Sequence, residues 1–452
     1  MVVMATGASL SLRDFLSFPV IAGENGGGAF LLMYLFFLAV LGLPLIMSEL
    51  MLGRLGRRNI VDTLGDLSTR HGASVYWRLV GFLALFAGFL LLSSYSVVSG
   101  WSMAYFFKTV VGTYSAATLD GTQVLFNKFQ TDAEAMALWH TLFAVLMVGV
   151  AAQQRHRGLE RIVTRLVPIM VLLLVVGLGY ALYTGGLDQS VRYILYPDWS
   201  RVDASMPLAA LQRAFFTLAL GLGVMLIYGA YIDDDVPIGY TAGQIVLIDL
   251  LFSIFTGLSI NALVFSAGVQ PTLDHELAFR VLPMVFGAAA YGNIFGALFF
   301  LLLAIAGLTT AVALMEALVT CYRDRFRVTR LGAATQLGFL VWLLGLGTIF
   351  SYSLWNDAGF TLTLDLGSEA YRLVREAGFH DVIVFVSSHL IQPLVALCIA
   401  LFAGWILPRT VSYEALNLPG RQLYEAWNFV IRYITPVLVL IVMLSTLGVV
   451  AR

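Results

Sequence analysis

Apolar runs of about 20 residues, the length that crosses the hydrocarbon core of a bilayer, recur along this chain with polar punctuation between them. Eleven can be read, at roughly 1–22, 28–53, 79–106, 135–152, 160–184, 207–231, 239–269, 291–321, 331–353, 382–407 and 427–450. Each predicts a membrane-spanning helix. Two of them break the pattern. In the first, Thr6, Gly7, Ser9 and Ser11 interrupt the apolar run, and Arg13 with Asp14 stands between apolar neighbours. A lone charge at mid-depth costs about 2.5–3.5 kcal/mol on insertion scales. Unpaired backbone there costs several kcal/mol per group unless it is buried in protein or lines a cavity. A chain that accepts both costs is expected to have broken a helix to build a site. The competing readings are an amphipathic lead-in or a signal peptide. The stretch lacks the basic start, unbroken apolar core and small-residue cleavage site of a signal peptide.

The sixth run repeats the anomaly. Phe215-Phe216-Thr217-Leu218-Ala219-Leu220-Gly221-Leu222-Gly223 places a polar, glycine-rich break in mid-run, with Arg213 just before it. Two interrupted runs, five apart in order, suggest two five-span halves of opposite topology. Breaks at corresponding positions of such halves point to a transporter's binding site.

Composition narrows the class further. The 452 residues are 60% hydrophobic and only 12% charged, against about 25% charged in a soluble domain, and the mean hydropathy is +0.87. This is a polytopic membrane protein surrounded by lipid. The net charge of -1 offers no basic face for nucleic acid. With short ends and no soluble appendage expected, neither catalysis in a separate domain nor an enzyme is expected. Cys321 and Cys398 lie far apart in apolar sequence without metal-ligand spacing, so buried free thiols are expected. No glycosylation acceptor occurs. A channel is disfavoured because no ring of charge or filter-like loop appears.

Loop arginines and lysines set the orientation. Loops after even-numbered runs hold fifteen, among them Arg54, Arg57, Arg155, Arg323 and Arg409, whereas the opposite loops hold seven. The N-terminus is therefore expected in the cytoplasm.

Phe18-Pro19 followed by Gly23-Glu24-Asn25-Gly26-Gly27-Gly28-Ala29-Phe30 is similar to the most recognisable signature of the neurotransmitter:sodium symporter family, in particular of its eleven-span prokaryotic, bacterial leucine-transporter-like members. Gly42-Leu43-Pro44 with Glu49 and Gly53-Arg54 resembles the second span, and Tyr95-Ser96-Val97-Val98-Ser99-Gly100-Trp101 the third. Phe215-Phe216-Thr217 resembles the sixth, Ala306-Gly307-Leu308-Thr309-Thr310 the eighth, and Arg432-Tyr433-Ile434-Thr435-Pro436 the eleventh. Any one of these is weak; six in order are specific.

The resemblance implies an all-α polytopic fold with discontinuous first and sixth helices. The first inverted repeat would be 1–184, the second 185–407, and the eleventh span 408–452. It implies sodium-driven symport of a small amino acid or amine into the cell across the plasma (inner) membrane by alternating access. The protein would be a monomer or weak dimer with sodium as its only cofactor. The sodium ligands implied are the carbonyls of Gly7, Leu10 and Ala306 and the hydroxyls of Thr309 and Thr310. For the substrate, the amides of Leu12 and Arg13 and the hydroxyl of Tyr95 would hold a carboxylate. The carbonyls of Ser9, Phe216 and Ala219, with Thr217, would hold an ammonium. Leu91, Phe216, Leu222, Ala311 and Leu314 would form a wholly apolar side-chain pocket, which favours a neutral, apolar amino acid. Glu49 would brace the broken sixth span, and Glu316 is assigned to scaffold as well.

The chain also departs from the family pattern. Where relatives read glycine–apolar–glycine–asparagine, this chain reads Ser11-Leu12-Arg13-Asp14. The asparagine normally helps to hold a second sodium. Asp14, Thr217 and Asp249 would form that second cation site here, and the Asp249 carboxylate would make chloride unnecessary. Arg213 stands where a glutamine is usual. Arg13 and Arg213 balance Asp14 and Asp249, so an internal Arg–Asp network in place of the substrate-linked sodium is the leading expectation. Retention of that sodium with an aspartate as proton site, and an Arg13 directed outward, are the other readings. The outer-gate arginine and aspartate are replaced by Ser17 and Val384, leaving Arg13 as a candidate to close the site. His389 is expected to pack without a site role. Only thirteen residues precede Asp14, so either the start lies upstream or the inner gate is built differently. The missing gate pair keeps open a sensor or degenerate transporter that binds without translocating.

Overall fold

The computed structural model describes residues 2–12, 15, 17–154, 159–271, 277–355, 359–365 and 370–448, with backbone alone for 2 and 360–377. The first run is split into α1 (Val2–Ser9) and α2 (Phe18–Glu24). Then come α3 (Gly28–Gly56), α4 (Val75–Val110), α5 (Ala133–Ala151) and α6 (Glu160–Thr184). A short helix, α7 (Leu187–Leu195), precedes the split sixth run, α8 (Met206–Phe216) and α9 (Val224–Gly229). The chain continues through α10 (Ile238–Ser266), α11 (Gly292–Phe326), α12 (Arg330–Tyr352), α13 (Phe379–Ile406) and α14 (Arg421–Thr446).

Among the described residues, nine helices are long and apolar enough to cross a membrane. The first and sixth runs fall outside that number because each is broken. The nine match the expected spans to within a few residues at most ends. Between α12 and α13 lies a two-stranded antiparallel sheet, β1 (Phe360–Asp365) and β2 (Ala370–Ala377), in whose backbone register Leu362 pairs with Val374. The reading by apolar runs had no means of finding it, since it lies outside the spanning helices.

Burial separates inner from outer helices. In α11, 72% of the most apolar stretch is buried in protein, against 22% in α6 and in α14. With no water to hide from in lipid, helices associate by close packing, and α11 is surrounded while α6 and α14 present faces to the acyl chains.

The first break does not fall where the polar residues begin. Thr6, Gly7 and Ser9 are all helical, and regular structure stops at Leu10–Ser11. The Ser9 hydroxyl donates back to the Thr6 carbonyl at 3.0 Å, the local bond by which a serine stays inside a helix. Gly7 serves packing: a Cβ there would lie 2.8 Å from Val167 on α6. Beyond the break, α2 is fixed to α10 by Asn261, whose side-chain amide donates to the Pro19 carbonyl at 2.8 Å.

The Gly26-Gly27-Gly28 corner docks on the chain that follows α7. Gly28 N–H donates to the Tyr196 carbonyl at 3.0 Å and Asp198 N–H donates to the Gly26 carbonyl at 3.1 Å. Gly27 has φ +56, and a Cβ on it would meet the Tyr193 carbonyl at 2.6 Å, so the corner needs glycine on two counts. Beside it the Tyr193 phenol, outside the spanning helices, is pushed up to about 12, first by burial and then by the nearby Glu24 charge. It stays neutral over the physiological range.

Candidate functional site

The sixth-run break occupies 217–223, where the chain leaves the helix in a series of turns. Ala219, Gly221 and Gly223 take φ of +50, +75 and +77. Alanine holds a left-handed conformation only where its surroundings impose it. Here they do: Glu49 of α3, fully buried, accepts the Gly221 N–H at 2.7 Å. That is the bracing role expected of Glu49.

A cavity of about 410 Å³ lies between the two breaks, within the range of small-molecule sites. Of the residues that the resemblance assigned to substrate, Ser9, Leu12, Leu91, Tyr95, Phe216, Thr217, Ala219, Leu222 and Leu314 line it. Leu12 N–H donates to the Tyr95 hydroxyl at 3.1 Å, so the two groups assigned to one carboxylate sit side by side. Arg13 and Asp14 lie outside the described residues.

Three expectations need correction. Ala311 does not line the cavity among its described walls and is fully buried; one residue on from Thr310, it is turned about 100° round the helix. The cavity is not wholly apolar either. Leu91, Phe216, Leu222 and Leu314 form an apolar wall, but Ser94, His380, Asp381, Ser388 and Gln392 add polar groups. His389, expected to pack only, does pack against the Phe216 and Phe385 rings, with centroids 6.2 and 5.9 Å away, yet it also lines the cavity.

These additional residues all come from the tenth span or the side of α4 that faces it. Ser94 Oγ and His380 Nδ1 lie 2.7 Å apart across that join. Hydropathy places His380 and Gln392 near or within a span but gives no sign of which way they face. Ser17 and Val384, the uncharged residues at the two expected gate positions, both line the same cavity. Asp381 is exposed, so the cavity extends to the protein surface at that end.

The five oxygens assigned to sodium come from the end of α1 and the middle of α11. The Thr310 hydroxyl donates to the Leu10 carbonyl at 3.3 Å, and the Thr309 hydroxyl to the Ala306 carbonyl at 3.0 Å. A Cβ on Gly7 would sit 3.8 Å from that of Thr309. Such a set consists of neutral oxygens alone, suited to a hard monovalent cation and unsuited to a soft metal. Among the described residues no group of three or more His, Cys, Asp or Glu is placed to hold a metal ion.

On the other side of the sixth-run break, the Thr217 hydroxyl donates to Asp249 Oδ2 at 2.8 Å, with Asp249 fully buried. Arg213 is 4% exposed and lays its guanidinium 5.2 Å from the centre of the Phe18 ring. Two of the four charges expected at mid-depth are thus buried on α8 and α10.

Below the site, Glu316 accepts a hydrogen bond from the Tyr231 hydroxyl at 2.8 Å and pairs with Arg330. Asn59 donates to Asp324 at 3.2 Å. These polar contacts link α11 to the chain around it. Cys321 and Cys398 are free thiols, half-buried rather than buried.

A family model described as the Sodium:neurotransmitter symporter family matches residues 1–122 and 128–451. An uncharacterized sodium-dependent transporter of Bacillus subtilis (strain 168), YhdH, is 31% identical over 456 residues, 99% of this chain and 96% of its own. An uncharacterized sodium-dependent transporter of Haemophilus influenzae is 26% identical over 453 residues, again 99% and 96%. The crystal structure of MhsT in complex with L-phenylalanine is similar with a TM-score of 0.85 and 32% identity, over 98% of this chain and 97% of that one.

Proposed function

The chain belongs to the sodium:neurotransmitter symporter family, and we propose that it carries a neutral, apolar amino acid into the cell with sodium by alternating access. Membership makes it a multi-pass membrane transporter coupled to sodium and not an enzyme. The identity of the cargo is the proposal. One observation carries it: the cavity and the ring of neutral oxygens meet at the same break in the first run. Ser9, Leu12 and Thr310 line the cavity, and Thr310 also meets the Leu10 carbonyl.

In this reading the substrate's carboxylate takes hydrogen bonds from the Leu12 and Arg13 amides and the Tyr95 hydroxyl. Helix ends supply partial positive charge for it. The ammonium meets the carbonyls of Ser9, Phe216 and Ala219 with Thr217. The apolar wall of Leu91, Phe216, Leu222 and Leu314 then selects the side chain. The L-phenylalanine held by the structural neighbour fits such a wall. Gly7, Leu10, Ala306, Thr309 and Thr310 hold sodium. The inverted repeats 1–184 and 185–407, with 408–452 outside them, supply eleven crossings in the inner membrane with the N-terminus cytoplasmic. Asp249 supplies the fixed negative charge that makes chloride unnecessary. The balance of Arg13 and Arg213 against Asp14 and Asp249 favours one sodium per cycle.

The test is a thermal-shift screen of the twenty amino acids on purified protein, in sodium and in potassium. An aliphatic or aromatic amino acid should raise the unfolding temperature in sodium only. No shift with any of the twenty would overturn the cargo assignment. In proteoliposomes, uptake against sodium concentration should show a Hill coefficient near one; a value near two would restore the second sodium. The uncharged Ser17 and Val384 at the gate positions favour a second reading, a sensor that binds without translocating. Binding without counterflow would establish it.

Tyr95→Phe should weaken amino-acid binding about tenfold or more. A hydrogen bond to a charged group contributes about 1.5–3 kcal/mol, and 1.4 kcal/mol is a factor of ten. Equilibrium binding of radiolabelled L-phenylalanine checks this, and an unchanged affinity would remove Tyr95 from the site.

A further inference from the structure

The break in the sixth run is held from two sides. Leu220 and Gly221 share one peptide group. Its N–H donates to Glu49 Oε1 on α3 at 2.7 Å, and its C=O accepts from Gln392 Nε2 on α13 at 2.8 Å. Glu49 and Gln392 are 0% and 2% exposed, so water does not compete for either bond. A single peptide plane is gripped at both ends by side chains from two different helices. The backbone of α13 also lies directly against it, since a Cβ on Gly221 would meet the Gln392 carbonyl at 2.5 Å.

A break strips peptide groups of their helical partners, and buried groups must find others. Glutamine suits the carbonyl because its amide donates without carrying charge into the membrane. A methionine of similar length would have no donor, and an ionised glutamate would only accept. The clamped plane lies one peptide on from Ala219, whose φ of +50 needs external support. Both Ala219 and Gln392 line the cavity.

We propose that Gln392 is a positioning residue for substrate. By holding the Leu220 carbonyl it fixes the strained backbone at Ala219, and with it the break carbonyls that meet the substrate's ammonium. Because Gln392 rides on α13, whose upper part carries Val384 and His389 to the cavity, the same bond ties the site's geometry to the helix that flanks its mouth. The inference rests on the amino-acid reading of the cavity; the clamp itself is independent of that reading.

Two variants test it, Gln392→Met and Gln392→Glu, with radiolabelled L-phenylalanine in sodium as the binding probe. Gln392→Met is expected to bind about tenfold more weakly. Gln392→Glu should bind like the parent protein at pH 5.5, where a protonated carboxyl donates to Leu220. It should lose affinity at pH 8.5 relative to the parent measured at the same pH. A merely structural role would impair both variants alike at every pH. Hydrogen–deuterium exchange without substrate reads the clamp alone: amides of 219–223 should exchange about tenfold faster in Gln392→Met. Binding within twofold of the parent, or Gln392→Glu following Gln392→Met at all pH values, overturns the positioning role. If the parent binds no amino acid, the cargo reading fails by itself, and unchanged exchange in Gln392→Met would still overturn the clamp.

Discussion

Replacing Thr309 and Thr310 together by valine is expected to raise the half-saturating sodium concentration for amino-acid binding about 100-fold. Valine keeps the shape of threonine and removes only the hydroxyl. The two hydroxyls now donate to carbonyls that belong to the same proposed cage, Ala306 at 3.0 Å and Leu10 at 3.3 Å. An arriving cation would take the oxygen lone pairs and leave the hydroxyl protons to turn outward. Each hydroxyl contributes about 1.5 kcal/mol or more, by analogy with hydrogen bonds to charged groups. Two such losses give about 3 kcal/mol, which is about 100-fold in affinity. Both threonines are buried, at 1% and 7% exposed, and Thr310 also lines the cavity. Sodium titrations of thermal stability on the double variant and each single one supply the measurement. A double variant with half-saturation within threefold of the parent would place the sodium elsewhere.

Gly53→Ala is expected to destabilise the folded protein by about 3 kcal/mol or more and to abolish amino-acid binding. The α3 and α9 helices meet backbone to backbone, as small residues allow in membranes. A Cβ on Gly53 would lie 1.9 Å from the Leu226 carbonyl oxygen, and one on Gly229 would lie 2.3 Å from that of Leu50. The obstacle is main chain on both sides, so no rotamer relieves it. Overpacking a close-packed interior costs about 1–3 kcal/mol and sometimes more, and here it also forces α9 away from α3. Glu49 lies one turn before Gly53 on α3, so the same shift draws it off the Gly221 N–H. Gly149→Ala is the control. In the last turn of α5 a Cβ at Gly149 has nothing within 4 Å, and alanine there should stabilise by up to about 0.5–1 kcal/mol. Thermal unfolding of the two variants in detergent should move in opposite directions. Equal behaviour would refute the backbone-to-backbone approach of α3 and α9.

Nine helix positions were legible in the sequence because lipid imposes a strict rule. A run of about 20 apolar residues must satisfy its own backbone, and only a helix does that. The existence of both breaks was legible for the same reason, since Arg213, Thr217 and the glycines of 221–223 violate that rule. Their exact extent was not. Thr6, Gly7 and Ser9 look like breakers in isolation, yet Ser9 satisfies itself on Thr6 and Gly7 only makes room for Val167. The strand pair Phe360–Asp365 and Ala370–Ala377 carries no hydropathy signal and was invisible.

By itself, then, the amino-acid order determined which stretches seek lipid and that two of them cannot stay helical throughout. Tertiary structure alone decided which residues from distant spans look into one space. Gln392, His380 and Ser94 entered the cavity, and Ala311 left it. The physical reason is rotational. Hydropathy fixes where a helix lies along the membrane normal, but in a helix buried on most sides the apolar pattern has no preferred face. Its orientation is set by close backbone approaches such as that of Gly53 to Leu226, and by single hydrogen bonds such as that of Gln392 to Leu220.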